Sequence, residues 1–185
     1  MLTFSVDGLI QTLGVAYYVL VYAIGVIAMA LSVIAFQFKH RVTIILSTLF
    51  GQLCWVAHFI LQGDLASAII CGLSAVMLAI FSKKEQWRWS TSPPIIALFI
   101  LLFSALSIVT FKTWSDVFPL GAGVFVVIAN SRASEKRLRQ FSLLWCLFWL
   151  LNSTFKMYPV AFANDLLCTI STLVSLIRYR DKSHS

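Results

Sequence analysis

The chain has 185 residues, of which 60% are apolar and only 11% charged, with a formal net charge of +7. An average soluble domain has roughly a quarter of its residues charged; a core of this length could not bury so much apolar surface in water, so lipid must cover the remainder. The basic residues sit in short clusters between apolar runs, which argues against nucleic acid as a partner and suits loops at an anionic leaflet.

The first 14 residues are moderately apolar and read as lying at the outer interface or lengthening the first helix. They have neither a basic n-region nor a small-residue cleavage site, so a cleaved signal peptide is not expected. A helix needs about 20 mainly apolar residues to cross the hydrocarbon. The candidate spans are 15–38, 42–61, 65–82, 94–111, 117–130, 141–155 and 160–177. The fifth and sixth are short and are expected to extend into their flanking loops or to meet an adapted bilayer.

Loop charge orients these spans. Lys39 and Arg41 follow the first, Asp64 the second, and Lys83, Lys84, Glu85 and Arg88 the third. Lys112 and Asp116 cancel after the fourth. Arg132, Glu135, Lys136, Arg137 and Arg139 follow the fifth, Lys156 the sixth, and Arg178, Arg180, Asp181 and Lys182 end the chain. Twelve of the 14 basic residues thus fall on alternate loops, and the positive-inside rule makes that side cytoplasmic. An even number of spans would break the alternation. The expectation is an all-α polytopic membrane protein with seven transmembrane helices, the N-terminus outside and the C-terminus cytoplasmic. Trp87, Trp89 and Trp114 stand at predicted boundaries, where amphipathic rings favour the headgroup zone.

An offset of 94 residues sets Trp55 on Trp149, His58 on Asn152, Cys71 on Asp165, Ser74 on Cys168 and Lys84 on Arg178. The second and third spans then overlay the sixth and seventh without a gap. The first and fifth correspond as well, with a longer loop expected after the fifth. This parses the single membrane domain as a three-helix repeat (1–88), a linker helix (89–113) and a second three-helix repeat (114–185). Because three is odd, the linker helix restores orientation, so the two halves run parallel about an axis along the membrane normal.

That 3+1+3 layout is similar to the SWEET sugar transporters and the wider PQ-loop superfamily. A closer resemblance is to the YgjV family of bacterial inner-membrane proteins, carried by W-L-L-N from Trp149, by Asp165 inside the last span and by Arg178 closing it. The family pattern has histidine where Asn152 stands, whereas the first half keeps W-V-A-H at Trp55–His58. The Gly-Ser pair usual after the sixth span is replaced by Met157, Tyr158 and Pro159. The resemblance implies a multi-pass protein of the bacterial inner membrane and brings no activity with it; the SWEET-like layout suggests, by analogy alone, a homo-oligomer of two copies.

Asp165 is the most informative residue. A carboxylate facing lipid at mid-membrane costs roughly 2.5–3.5 kcal/mol on insertion scales, so it should face the bundle interior or a wet cavity. Asp165, Thr169 and Thr172 recur on one helical face with Cys168 beside them, and Ser67, Cys71 and Ser74 form the matching stripe in the first half. The plainer alternative pairs Asp165 with Lys156 near the outer surface. Trp55 with His58, and Trp149 with Asn152, set an aromatic ring beside a hydrogen-bonding group, which suits a small polar solute; histidine could also couple to protons. Interface anchoring is the competing reading. Gln37, Gln52, Asn130 and Asn164 read as interhelical hydrogen-bonding groups. Ala66, Ala68, Gly72, Ala75, Gly121, Ala122 and Gly123 read as close-packing positions, with a hinge at 119–123. The cluster from Ser131 to Gln140 reads first as a topology determinant, with Arg132, Lys136, Arg137 and Arg139 as candidate lipid-headgroup contacts.

The four cysteines lie inside apolar runs without C-x-x-C spacing and read as packing residues, so neither a metal site nor a cofactor is expected. No H-E-x-x-H, G-x-S-x-G or phosphate loop occurs, and an enzyme is not expected. The leading expectation is a small-solute transporter or facilitator with a site between the halves. The alternative is a non-transporting assembly or lipid-contacting module.

Overall fold

The computed structural model describes residues 14–62, 65–109, 114, 117–132, 134–155 and 159–179. The N-terminal stretch before Gly14 and the charged Asp64, Lys112, Asp116, Arg180, Asp181 and Lys182 lie outside them. So does Lys156, the alternative partner of Asp165.

Among the described residues there are seven α-helices, one 3-10 turn at Arg88–Thr91 and no strand. The helices are α1 (Val15–Ala35), α2 (Arg41–Leu61), α3 (Leu65–Ser82), α4 (Pro93–Val109), α5 (Val117–Ser131), α6 (Glu135–Phe155) and α7 (Pro159–Arg178). Each apolar run in the sequence is one helix, because in lipid every backbone polar group must be satisfied within its own segment. α1 and α2 are long and apolar enough to span a bilayer by themselves, whereas α4 and α5 are shorter apolar helices. The short sixth run extends six residues toward its N-terminus through Glu135–Gln140, which brings α6 to 21 residues. α5 keeps only 15, about 22 Å at 1.5 Å per residue.

Sequence neighbours pack side by side: α1 on α2 on α3, and α5 on α6 on α7, with α4 mainly against α5. Contacts of α1 with α7 and of α3 with α5 close the bundle. The solvent logic is inverted. Val15, Val19, Tyr22, Val26, Leu101, Val109 and Ile177 are largely exposed, while Thr172, Ser175, Ser142 and Ser153 are buried to 2% exposure or less. An apolar circumference around polar interior groups is what a lipid solvent selects. The buried apolar cluster comprises Phe36, Ile44, Ile45, Met77, Leu78, Phe81, Phe99, Phe103, Val126, Val127, Leu138, Cys146 and Cys168. Most of it lies toward the end of the bundle where the basic loops are.

The small residues divide into two groups. Ala68, Ala75 and Ala122 are buried at helix contacts. A Cβ on Gly123 would stand 3.0 Å from Phe103 Cβ, and one on Gly121 would overlap the Phe148 ring. Gly72 departs from the expectation, since a Cβ there would meet nothing within 4 Å. Across 119–123, the expected hinge, the helix runs on unbroken, because Pro119 falls in the first turn of α5, where a backbone N–H has no intrahelical acceptor. The side chain of Ala66 lies outside the described set. None of the four cysteines forms a disulfide.

Candidate functional site

At the basic end, two arginines join helices that are far apart in sequence. Arg41 is the first residue of α2, where a cation opposes that helix's own dipole. Its guanidinium serves other helices. Nε donates to the Arg132 carbonyl at 2.6 Å, and Nη2 to the carbonyls of Asn130 at 2.7 Å and Phe81 at 3.1 Å. These acceptors close α5 and α3, whose last carbonyls lack intrahelical donors. Glu85 and Glu135 lie close enough to act on the same charge.

Arg139 makes the corresponding bonds from α6. Its Nη2 donates to the Phe38 carbonyl at 2.5 Å, just past the end of α1, and its guanidinium lies 4.4 Å from the centre of the Tyr179 ring at the end of α7. Arg139 is 2% exposed. It therefore departs from the expectation of a headgroup contact, because a guanidinium held by carbonyls inside the bundle cannot reach the leaflet. Lys136 and Arg137 are exposed, and Arg132 is half-buried with its guanidinium 5.3 Å from the Phe141 ring centre.

A second pair of contacts runs alongside. Lys84 Nζ donates to the Ser131 carbonyl at 2.9 Å, and Tyr179 Oη to the Gln37 carbonyl at 2.7 Å. Burial lowers the Lys84 pKa, and the neighbouring Arg41 and Arg132 lower it further. Gln37 Nε2 also donates to the carbonyl and hydroxyl of Ser171 on α7, each at 2.9 Å. The acceptors keep register. Gln37 and Ser131 are 94 residues apart, as are Phe38 and Arg132. Sequence reasoning assigned Arg41 and Arg139 to surface charge and missed Tyr179. The available signal was an arginine opening α2 against the dipole of its own helix.

At the opposite end, His58 is buried and its Nδ1 lies 2.9 Å from the Val21 carbonyl on α1. A carbonyl only accepts, so this ring nitrogen carries the proton. Trp55 is half-buried, edge-on to His58 at 5.3 Å and stacked on Phe59 at 5.6 Å. On α6 Asn152 is buried, and among the described residues its Oδ1 finds no hydrogen-bond partner. Trp149 is half-buried one turn earlier on α6. Asp165 is half-buried and accepts from Asn164 Nδ2 at 3.3 Å; Ser153 of α6 lies near its carboxylate but donates its hydroxyl to the Trp149 and Leu150 carbonyls of its own helix. Although adjacent residues on a helix point about 100° apart, the side chains of Asn164 and Asp165 do meet. Thr169 turns its hydroxyl back onto the Asp165 carbonyl at 2.7 Å, and Thr172 onto the Cys168 carbonyl at 2.8 Å. The stripe hydroxyls are thus satisfied by their own helix; the Asn152 amide oxygen is not. The described contacts form two clusters, His58 with α1 and Asp165 with α6, rather than one convergent group.

An apolar circumference, buried polar groups and cations capping helix ends at one face define a helical integral membrane protein. Residues 19–183 match the model of the YgjV family, described as a bacterial inner membrane protein, and the chain belongs to that family. No curated protein matches it, and no solved structure does. Its place is the bacterial inner membrane, in contact with the lipid bilayer.

Proposed function

We propose that the protein is a seven-span transporter or facilitator of a small polar solute, not an enzyme, built as two parallel three-helix halves joined by α4. The observation that carries this reading is the register of the two halves. α2 and α6 each have 21 residues, and both their first and their last residues stand 94 apart, as do the first residues of α3 and α7. With that register the loop after α5 needs no insertion. The α1–α7 contact is then the counterpart of the α5–α3 contact, as a two-fold axis along the membrane normal requires. Transporters with such repeats hold their solute near the midplane between the halves. The amide oxygen of Asn152, unpartnered among the described residues, and the half-buried carboxylate of Asp165 offer acceptors for a solute rich in hydroxyl or ammonium donors. Trp149 and Thr169 complete this group, and Trp55 with His58 forms a second candidate against α1.

Loop charge puts the C-terminus in the cytoplasm and the N-terminus outside in this reading. Reporter fusions after each helix test that orientation, and a cytoplasmic N-terminus would sink it. Transport itself is tested by the purified protein in liposomes, with swelling followed in glycerol, glucose, serine and glycine. At least one solute should enter faster than into protein-free vesicles, and faster than into vesicles carrying Asn152→Leu. Entry at the protein-free rate for all of them would favour the non-transporting module, with the exposed Lys136 and Arg137 as its contacts to anionic lipid.

A further inference from the structure

We propose that the arginine contacts at the basic end are a paired inner gate: Arg41 with Lys84 on one side, Arg139 with Tyr179 on the other, holding the two halves closed toward the cytoplasm. The inference rests on the two-half reading above and adds to it a conformational state and the residues that maintain it.

The hydrogen bonds joining residues of different halves gather at this end. Arg41 and Lys84 belong to the first half and hold the end of α5. Arg139 and Tyr179 belong to the second half and hold the end of α1. Both sets grip carbonyls related by the same offset, at residues 37 and 38 and at 131 and 132. A rocking motion that separates one set therefore separates the other. Directly behind the straps lies the apolar plug of Phe36, Ile44, Met77, Phe81, Val127 and Leu138, each at 3% exposure or less. Nothing polar could pass while the plug is closed.

The chemistry of the straps suits a gate better than a permanent staple. The acceptors of Arg41, Lys84, Arg139 and Tyr179 are main-chain carbonyls at or just past a helix end, and these four donors are long side chains rooted close to the same face. Only the contacts of Ser171 with Gln37 and with the Val33 carbonyl lie deeper among the described residues. If the halves part, water from the cytoplasm can satisfy both partners, since neither has to be dragged through hydrocarbon. A staple set at mid-membrane would leave its broken partners in lipid, where replacement is costly. Two arginines can thus hold the closed state firmly and still let it open.

The test reads access and needs no knowledge of the solute. Ser175 is fully buried and lies one turn before Tyr179 on α7. In the full-length chain with its native cysteines replaced, Ser175→Cys is treated with a membrane-impermeant maleimide in inside-out vesicles. It should react at least tenfold more slowly than Lys136→Cys on the exposed loop. Adding Arg139→Gln or Arg41→Gln should raise the Ser175→Cys rate about tenfold. Tyr179→Phe, which removes one hydroxyl and keeps the ring beneath Arg139, should raise it less; this milder variant keeps the proposal testable if the arginine variants fold poorly. Unchanged rates in all three would overturn the gate, and so would an equal rise in right-side-out vesicles, which signals general loosening. The gate stands if access changes while the solute panel shows no flux. Flux with unaltered access would instead leave transport standing and remove the gate.

Discussion

His58 and Gly25 are a fitted pair. A Cβ built on Gly25 would stand 2.9 Å from His58 Cε1 and 3.1 Å from Nδ1. Gly25→Ala must therefore push the ring off the Val21 carbonyl. Overpacking of this kind costs about 1–3 kcal/mol, and the loss should appear as a lowered melting temperature in detergent. In a His58→Ala background the same substitution should be nearly neutral, because the atom it meets is gone; equal damage in both backgrounds would disprove the pairing. Asn152 calls for the opposite outcome. A buried carbonyl oxygen without a donor is a standing cost of about 1–3 kcal/mol, so Asn152→Leu should leave the melting temperature unchanged or raise it while reducing solute entry at least tenfold. A residue that merely pins two helices would lose stability first. Trp55, His58, Trp149, Asn152 and Asp165 were legible in the sequence as types out of place in an apolar run. Their partners were not, because a main-chain carbonyl such as that of Val21 leaves no mark in the residue string.

Helix existence was legible from hydropathy alone, and α3 matches its predicted span from Leu65 to Ser82. Helix ends were less so. The charged first two turns of α6 read as loop because hydropathy reports which part of a helix sits in lipid, whereas backbone hydrogen bonding carries the helix on past the hydrocarbon. Close packing could not be read from small residues alone: Gly72 and Gly123 look alike in sequence, and only Gly123 has a neighbour. At Gly123 the neighbour is Phe103 Cβ, which is fixed to the α4 backbone and cannot rotate away. Gly123→Ala should therefore displace α4 from α5 and cost about 1–3 kcal/mol. Phe103→Ala should not relieve it, since alanine keeps the same Cβ; relief would show that the ring, not the helix spacing, carries the strain.

For the molecule as a whole, the offset of 94 was visible in Trp55 and Trp149, but the carbonyls at 37, 38, 131 and 132 that the basic end and Tyr179 hold at that same spacing were not. Arg41 and Arg139 are 98 residues apart, one helical turn out of register, so no alignment of side chains pairs them. What keeps register is the carbonyls they hold. If the halves are equivalent units held by the straps and the apolar plug, the covalent link between α4 and α5 should be dispensable. Two fragments, residues 1–113 and 114–185, expressed together should assemble and co-purify through a tag on either one. Losing a hydrogen bond from a charged donor costs about 1.5–3 kcal/mol, and in the split protein no chain connection compensates for that loss at the two arginines. Arg41→Gln with Arg139→Gln should therefore abolish co-purification while both fragments still reach the membrane. The same double substitution in the unbroken chain should leave the halves together and lower the melting temperature. Fragments that co-purify regardless of the arginines would place the cohesion in the plug, around Phe81 and Met77, and leave the straps with the gate alone. Fragments that never assemble would show that α4, packed mainly on α5, depends on its covalent link and that the division into two halves is wrong.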